Sequence, residues 1–225
     1  MYIILVRHGE TDYNKLGIIQ GSEVDPPLNE FGKKQASITG DFINKNFNID
    51  VIYSSKYLRA KQTAALIKRK INYTGKVYLN NDLREASKGI LSGLEKTQVN
   101  ELIKSNNKLQ NFKDNCDKID HYQKLDTLYQ NDNISKMIKK ETNKEVGVRA
   151  RNIIKKIIKK NLNKNILIIS HGSFIANSIR NIFDVRQIPA ETLGNGNCSI
   201  TVFKIANNKK ELIMGFNNMH LKELY

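Results

Sequence analysis

Two continuous apolar runs give the clearest structural signal in the chain. Residues 2–6 and residues 166–169 are apolar without polar alternation, which is typical of strands buried on both faces of a parallel sheet. Each run ends abruptly in a polar motif, with His8 after the first and His171 after the second, and each histidine is followed by a glycine. Because ligands of open α/β sheets bind beyond the carboxyl ends of the strands, both motifs are expected at one functional edge.

Helix signals separate the predicted strands. Asn29 is predicted to cap a helix that continues to about Phe47. The serine pair at 54–55 is predicted to cap a helix that carries Arg59 in its first turn. A further helix is predicted to begin near Phe174, and the clearest helical periodicity is that of Val146, Ala150, Ile153, Ile154, Ile157 and Ile158.

Shorter apolar runs add strands and complete the predicted fold. They lie at residues 51–53 and 77–79, with a hairpin formed by residues 199–203 and 211–216 around a turn at 207–210. Strands that alternate with helices indicate parallel pairing. The sequence therefore predicts an α/β fold with a mostly parallel central sheet, helices on both faces, a helical insertion and a C-terminal hairpin.

The chain is interpreted as one domain, residues 1–225. This length suffices for one substantial core, and no linker rich in proline, glycine or serine divides it. Residues 95–143 are rich in lysine and asparagine, with patches of apolar residues at helical spacing. We expect this segment to form a helical insertion or lid within the domain.

The composition argues against several classes of protein. No apolar run approaches the length of a membrane-spanning helix, and the first residues lack the pattern of a secretory signal. Cys116 and Cys198 are far apart and outside any CxxC motif, so neither a disulfide framework nor a zinc site is indicated. We therefore expect a cytoplasmic protein with no membrane partner and no bound metal.

The chain is strongly basic, with 37 lysine and arginine residues against 22 aspartate and glutamate residues. Such a charge attracts phosphorylated metabolites, nucleic acid or an anionic surface. Because no nucleic-acid-binding module is recognisable, we favour a solvated lysine-rich surface and a phosphorylated small molecule as partner. A basic nucleic-acid-binding protein on the same scaffold is the alternative hypothesis, and the edge of the predicted hairpin is a candidate surface for a homodimer.

Five ionisable residues at or beyond the predicted strand ends indicate phosphoryl transfer: Arg7, His8, Arg59, Glu85 and His171. Guanidinium groups bind phosphoryl oxygens through paired hydrogen bonds. A neutral imidazole can displace an alkoxide from phosphorus, so His8 is the candidate nucleophile and His171 the candidate stabiliser of developing charge. Glu85 is the candidate general acid, because partial burial or a neighbouring phosphate favours its protonated form, and it would then activate water.

Longer motifs surround these residues. Residues 5–14 read LVRHGETDYN, residues 54–64 read SSKYLRAKQTA, residues 83–85 read LRE and residues 170–172 read SHG. Together they resemble the motifs of the histidine phosphatase superfamily, the phosphoglycerate mutase-like proteins. The resemblance implies a phosphohistidine intermediate, no metal or organic cofactor, and catalytic roles for the five residues above. It further implies phosphate-binding roles for Asn14, Gln20, Gly21 and the Gly172 backbone.

The superfamily contains mutases and phosphatases, and two positions bear on the choice between them. Mutases usually follow the acidic residue with an Arg-x-Tyr-Gly-type segment, whereas residues 86–89 read ASKG here. Ser173 stands where mutases commonly place an asparagine. We therefore predict a phosphatase that acts on a small phosphorylated metabolite, with phosphoglycerate mutase-type transfer as the alternative.

Overall fold

The structure is a computed structural model that describes residues 1–107, 111, 132–182, 196–206, 209–217 and 219–224. In this part of the chain, six strands form one sheet. The strands are β1 (Tyr2–Arg7), β2 (Val51–Ser55), β3 (Val77–Asn80), β4 (Ile166–Ser170), β5 (Ile200–Ala206) and β6 (Lys209–Asn217).

The strands are arranged in the order β3-β2-β4-β1-β5-β6. The pairs β3-β2, β2-β4 and β4-β1 are parallel, whereas β5 pairs antiparallel with both β1 and β6. The β5-β6 hairpin extends the sheet at one edge, and residues 207–208 of its predicted turn lie outside the described residues. The predicted mostly parallel sheet with a C-terminal hairpin is confirmed.

Helices connect the parallel strands, as the crossovers of βαβ units require. Those described are α1 (Asp12–Lys15), α2 (Glu30–Asn46), α3 (Leu58–Lys70), α4 (Lys96–Lys104), α5 (Asp132–Met137), α6 (Asn143–Lys160) and α7 (Gly172–Ile182). Short 3-10 helices are formed by Asn81–Leu83, Gly89–Leu91 and Met219–Leu224. Within the described residues, no helix is both long and apolar enough to cross a membrane.

Helices cover both faces of the sheet, because successive side chains of a strand point to opposite sides. On one face, Ile3 and Leu5 of β1 pack in a cluster with apolar residues of α6 and α7. On the other face, Ile4 and Val6 pack with apolar residues of α2 and α3. The predicted α/β fold with helices on both faces is therefore confirmed, and its continuous apolar strands are explained by burial on both sides.

The starts of α2 and α3 confirm one predicted cap and correct another. Asn29 caps α2, where its side-chain oxygen accepts a hydrogen bond from Gly32 N at 2.8 Å. The prediction that Ser54 and Ser55 cap the next helix is wrong, because both residues lie in β2. Tyr57 is the N-cap residue of α3 and makes no side-chain capping hydrogen bond. The serine pair instead places hydroxyl groups at the end of a buried strand.

Residues 95–143 are described mainly at the two ends of the segment. In α4, Leu102 and Ile103 recur at the predicted helical spacing, and both pack against Ile138 from the other end. The apolar patch predicted at 122–129 lies outside the described residues. The insertion or lid, and the single domain that would contain it, stay predictions.

Gly32 of α2 makes a close contact with the loop that follows β1. A Cβ atom on Gly32 would lie 2.1 Å from Glu10 O and 2.5 Å from Glu10 N. Alanine is ordinarily favoured over glycine inside a helix. Here we expect Gly32→Ala to lower the free energy of unfolding by about 1–3 kcal/mol, because two backbone segments must move apart. Urea unfolding followed by far-ultraviolet circular dichroism measures this change.

Gly147→Ala in α6 is the matched control. The added Cβ would meet the end of the Asn181 side chain, 2.3 Å from Nδ2, and a side-chain end can rotate away. We expect this variant to lose less than about 1 kcal/mol, because the gain in helix propensity offsets part of the contact. A Gly32→Ala protein as stable as the wild type would show that the contact does not constrain the loop.

Candidate active site

The register of β1 and β4 brings the two predicted histidines together. The strands pair in parallel with Arg7 opposite Ser170, so His8 and His171 are the next residues of neighbouring strands. Their ring centroids lie 5.2 Å apart, and the two residues are only 2% and 0% exposed. Imidazoles from distant parts of the sequence therefore share one buried site.

A backbone hydrogen bond fixes the tautomer of His8. Its Nδ1 lies 2.8 Å from Gly9 O. A carbonyl oxygen only accepts hydrogen bonds, so Nδ1 carries the proton and donates it. In the neutral ring, Nε2 is consequently the nitrogen with an available lone pair, as nucleophilic attack requires.

His171 is held by residues at the end of β2. Its Nε2 lies 2.9 Å from Ser55 Oγ, and the Tyr57 ring packs edge-on with a centroid separation of 5.6 Å. When the Ser55 hydroxyl donates to Nε2, the ring proton resides on Nδ1. Nδ1 is buried and has no hydrogen-bond partner among the described residues. A buried donor in this condition costs about 1–3 kcal/mol, and a phosphoryl oxygen would supply its partner.

Arg59 lies fully buried in the first turn of α3. Its guanidinium group donates to Gly21 O at 3.2 Å and to Val24 O at 3.0 Å. It also forms an ion pair with Asp25 at 3.5 Å and lies 5.1 Å from the centroid of the Tyr57 ring. Within the described part of the chain, Arg59 Nε has no hydrogen-bond partner. A firmly held guanidinium group thus offers one more donor.

Arg7 ends β1 beside the first residue of α7. A Cβ atom on Gly172 would lie 3.7 Å from Arg7 Nε and 3.8 Å from Arg7 Cζ. The Arg7 guanidinium group therefore lies against the backbone of the residue that follows His171. The charge of Arg7 also lowers the pKa of His8. Arg7 is therefore a second cation at the junction of β1 and β4.

Burial and the neighbouring cations favour neutral histidines. Burial lowers the pKa of His8 well below its ordinary value, and Arg7 and Arg59 lower it further. Burial also lowers the pKa of His171 well below its ordinary value, followed by the effects of Arg59, His8 and Arg7. Burial lowers the pKa of Arg59 as well, although nearby Glu85 opposes this shift. Both imidazoles are therefore neutral near pH 7.

Glu85 is bound to the N-terminus of α7 and is 7% exposed. This helix begins at Gly172, slightly earlier than the predicted start near Phe174. The Glu85 carboxylate accepts hydrogen bonds from Ser173 N at 3.3 Å and Phe174 N at 3.2 Å. The candidate acid is thereby held beside the strand end that carries His171.

Asn14 in α1, and Gln20 and Gly21 after it, belong to the connection between β1 and α2. Asn14 Oδ1 accepts a hydrogen bond from Thr11 N at 3.2 Å, and Gln20 Oε1 accepts one from Thr11 Oγ1 at 3.1 Å. A Cβ atom on Gly21 would lie 2.9 Å from Lys88 N, so glycine permits the close approach of two loops. These contacts shape the loop, and the phosphate-binding roles of the three residues stay predictions.

Three further polar residues support the site without having been predicted for it. Ser55 contacts the second histidine as described above. Thr63 Oγ1 accepts a hydrogen bond from Gly9 N at 3.0 Å, and Asn197 Nδ2 donates to His8 O at 3.1 Å. In the sequence, serines that directly follow a short apolar run are a signal that could identify Ser55. The other two contacts arise from packing between distant segments, for which the sequence carries no local signal.

Two curated proteins similar to this chain are phosphatases. Fructose-2,6-bisphosphatase TIGAR of Xenopus tropicalis is 38% identical over 104 residues, which are 45% of this chain and 38% of that protein. The metal-independent phosphoserine phosphatase of Arabidopsis thaliana is 42% identical over 92 residues, which are 41% of this chain and 38% of that protein. The matched segments thus cover 38% of each of these relatives.

One solved structure and one family model each match nearly the whole chain. A phosphoserine phosphatase from Entamoeba histolytica, solved with phosphoserine, has a TM-score of 0.74 and 26% identity and covers 98% of both chains. The same kind of enzyme has been solved with 3-phosphoglyceric acid. The model of the histidine phosphatase superfamily (branch 1) matches residues 3–218. The chain therefore belongs to the histidine phosphatase superfamily, as its motifs predicted.

The buried histidines should make the stability of the unliganded protein depend on pH. Below the ordinary histidine pKa of about 6.5, the unfolded chain binds protons that the folded chain excludes, because burial lowers both pKa values. Unfolding therefore takes up protons. The free energy of unfolding should fall as pH decreases below about 6.5, by at most about 1.4 kcal/mol per pH unit for each histidine.

Urea unfolding at about pH 7, 6 and 5 measures this dependence. The double variant with His8→Gln and His171→Gln retains all carboxylates, so its stability should fall less steeply over the same range. If the free energy of unfolding falls equally steeply with decreasing pH in the wild type and in the double variant, the fold does not hold the buried histidines neutral.

Proposed function

We propose that the protein is a phosphatase that hydrolyses a small phosphorylated metabolite through a phosphohistidine intermediate. The observation that carries the proposal is the pair of buried imidazoles, with ring centroids 5.2 Å apart, close to the guanidinium groups of Arg7 and Arg59. Two cations and two neutral imidazoles in one buried site suit a phosphate dianion. Membership of the superfamily and the names of the similar proteins support the same reaction class.

In the first step, His8 Nε2 attacks phosphorus as the bond to the ester oxygen breaks. Glu85, as general acid, gives a proton to that oxygen, so the leaving group departs as an alcohol. In the second step, the Glu85 carboxylate takes a proton from water, and the water oxygen attacks the phosphohistidine. The phosphorus–nitrogen bond breaks, inorganic phosphate is released, and both side chains return to their starting states.

The charge that develops on the phosphoryl oxygens needs fixed donors. Arg59 Nε and His171 Nδ1 are buried and lack hydrogen-bond partners among the described residues, which supports their use as such donors. We assign the Arg7 guanidinium group to the same task, because it lies at the junction of the two histidine-bearing strands. Donors that are already oriented need no rearrangement during the reaction, which is the main source of electrostatic catalysis.

Hydrolysis is favoured over transfer by the residues around Glu85. Lys88 Nζ donates to Ser173 Oγ at 3.2 Å, so the two positions at which the sequence departs from the mutase pattern contact each other. Both lie near the candidate acid, because Ser173 N donates to the Glu85 carboxylate. A leaving-group region built from lysine and serine lacks the arginine and tyrosine expected of a mutase, which supports release of the phosphoryl group to water.

The choice of substrates follows from the names of the similar proteins. Phosphoserine, 3-phosphoglycerate and fructose 2,6-bisphosphate form the first panel. We place the enzyme in the cytoplasm, an assignment supported by Cys198, which is a buried free thiol. A homodimer paired through the exposed edge of β6 stays a prediction.

The alternatives have distinct signatures. A mutase would convert 3-phosphoglycerate into its 2-phosphate isomer with little free phosphate. A nucleic-acid-binding protein would show an affinity that falls steeply with salt and survives loss of His8.

We expect His8→Ala to lower kcat for phosphate release by at least about 10³-fold, because the attacking nitrogen is removed. His220→Ala is the matched control, since His220 lies elsewhere, with its Nε2 2.9 Å from Thr39 Oγ1. The control should keep kcat within about twofold of the wild type. Phosphate release from the substrate panel measures kcat of both variants. A chelator should leave the activity of the wild type unchanged. Full turnover by His8→Ala protein would exclude the mechanism.

Glu85→Gln tests whether Glu85 is the general acid, because two substrates can be compared whose leaving groups differ in their need for a proton. An alkoxide needs a proton to depart, whereas p-nitrophenolate does not. The variant should lose about 10²–10⁴-fold of the single-turnover rate on phosphoserine, yet still give a rapid burst of p-nitrophenol from p-nitrophenyl phosphate. Steady turnover after the burst should be slow, because water activation also uses Glu85. Equal losses in the single-turnover rates of the two substrates would contradict the assignment.

A further inference from the structure

A surface cavity lies between the end of α5, the loop that follows it and the first turns of α6. Its volume is about 580 Å³, which is within the size range of small-molecule sites. Five of its nine lining residues are cationic. We call this cavity the lysine pocket, after Lys136, Lys139, Lys140 and Lys144; the fifth cation is Arg149.

Four of the five cations that line the lysine pocket are lysines. Arg149 is already engaged by Glu141, with distances of 3.0 Å from Nε and 2.8 Å from Nη2 to the two carboxylate oxygens. Glu145 is the acidic residue of the lining, and its carboxylate caps α6 by accepting from Thr142 N at 2.8 Å and Thr142 Oγ1 at 2.9 Å. Ammonium groups such as those of Lys136, Lys139 and Lys144 around one cavity repel each other, and a bound anion would offset that repulsion.

The fold holds the pocket beside the candidate active site. Ile90 N donates to Ile138 O at 3.0 Å, and Glu141 N donates to Ser87 O at 3.1 Å. These bonds join the loop that carries Lys139 and Lys140 to the segment that directly follows Glu85. The loop that lines the pocket is therefore joined by backbone hydrogen bonds to the region in which the leaving group is expected.

Two further features of the pocket favour an anion. Ser135 lines the pocket and is 2% exposed, and its Oγ has no hydrogen-bond partner among the described residues. A hydroxyl group can rotate to donate to an anionic oxygen. The pocket also lies at the N-terminus of α6, a helix of 18 residues, and the dipole of a long helix attracts negative charge at that end.

We propose that the lysine pocket is a second anion-binding site that takes a phosphate group, either from a polyphosphate or from a bisphosphorylated substrate. The shared chemistry is a phosphate group bound by several ammonium groups and a hydroxyl group. Anion binding by this pocket does not depend on catalysis. Its use by a substrate, in contrast, rests on the proposed phosphatase function.

Calorimetric titration of the full chain with inorganic tripolyphosphate tests the binding. One variant combines Lys136→Gln, Lys139→Gln, Lys140→Gln and Lys144→Gln. The control removes the same charge from the outer face of the same helix, with Lys155→Gln, Lys156→Gln, Lys159→Gln and Lys160→Gln. We expect the pocket variant to bind at least about tenfold more weakly and the control to stay within about twofold, both at a fixed salt concentration.

Equal weakening in the two variants would show diffuse attraction by a basic surface, and no weakening in the pocket variant would show that the cavity binds no phosphate. Either result overturns the proposal. Circular dichroism confirms that each variant is folded. If the fourfold pocket variant does not fold, Lys139→Gln is compared with Lys159→Gln in the same titration.

Kinetics then identify the source of the phosphate. If the second phosphate of a substrate occupies the pocket, the pocket variant should raise KM for fructose 2,6-bisphosphate by at least about fivefold, with KM for p-nitrophenyl phosphate unchanged. If KM is unchanged for both substrates while tripolyphosphate binding is lost, the pocket binds a separate polyphosphate. An inactive wild type with intact tripolyphosphate binding would overturn the phosphatase but leave the anion site in place.

Discussion

The candidate site depends on the parallel pairing of β1 with β4. Arg7 lies opposite Ser170, and His8 N donates to Ser170 O at 3.0 Å. The pairing therefore continues to the residue that carries the first imidazole, while the second imidazole follows directly on the neighbouring strand. Because a shift of one residue would turn every side chain of a strand to the opposite face, the buried apolar residues of both strands fix this register. The packing of the core thus determines the distance between two chemically active rings.

A buried cluster of basic residues is costly unless its charge is limited or balanced. The site limits the charge through the histidines, whose pKa values are lowered by burial and by the arginines. It balances the charge of Arg59 with backbone carbonyl groups and Asp25. Arg59 Nε and His171 Nδ1 lack hydrogen-bond partners among the described residues, and a phosphoryl group could accept from both. The same arrangement therefore explains how the unliganded site is tolerated and why it suits a dianion.

The strand ends and the histidine motifs could be predicted because they depend on local patterns. A continuous apolar run indicates a buried strand, and a polar motif at its end indicates the functional edge. Ser55 lies in β2 and does not cap a helix, and the sequence prediction fails there because serine occurs both at strand ends and before helices. The carbonyl partners of Arg59, the contact of Asn197 with His8 O and the lysine pocket all arise from packing between distant segments. No local pattern in the sequence encodes such contacts.

In the proposed mechanism, His8 Nε2 becomes covalently bonded to phosphorus. Rapid acid-free quenching of the wild-type enzyme during turnover of a labelled phosphomonoester, followed by peptide mapping, tests this most directly. We expect a phosphoryl label that is stable in alkali, is released in acid and maps to His8. Turnover with no labelled intermediate at His8, or with the label on a serine or another residue, would contradict it.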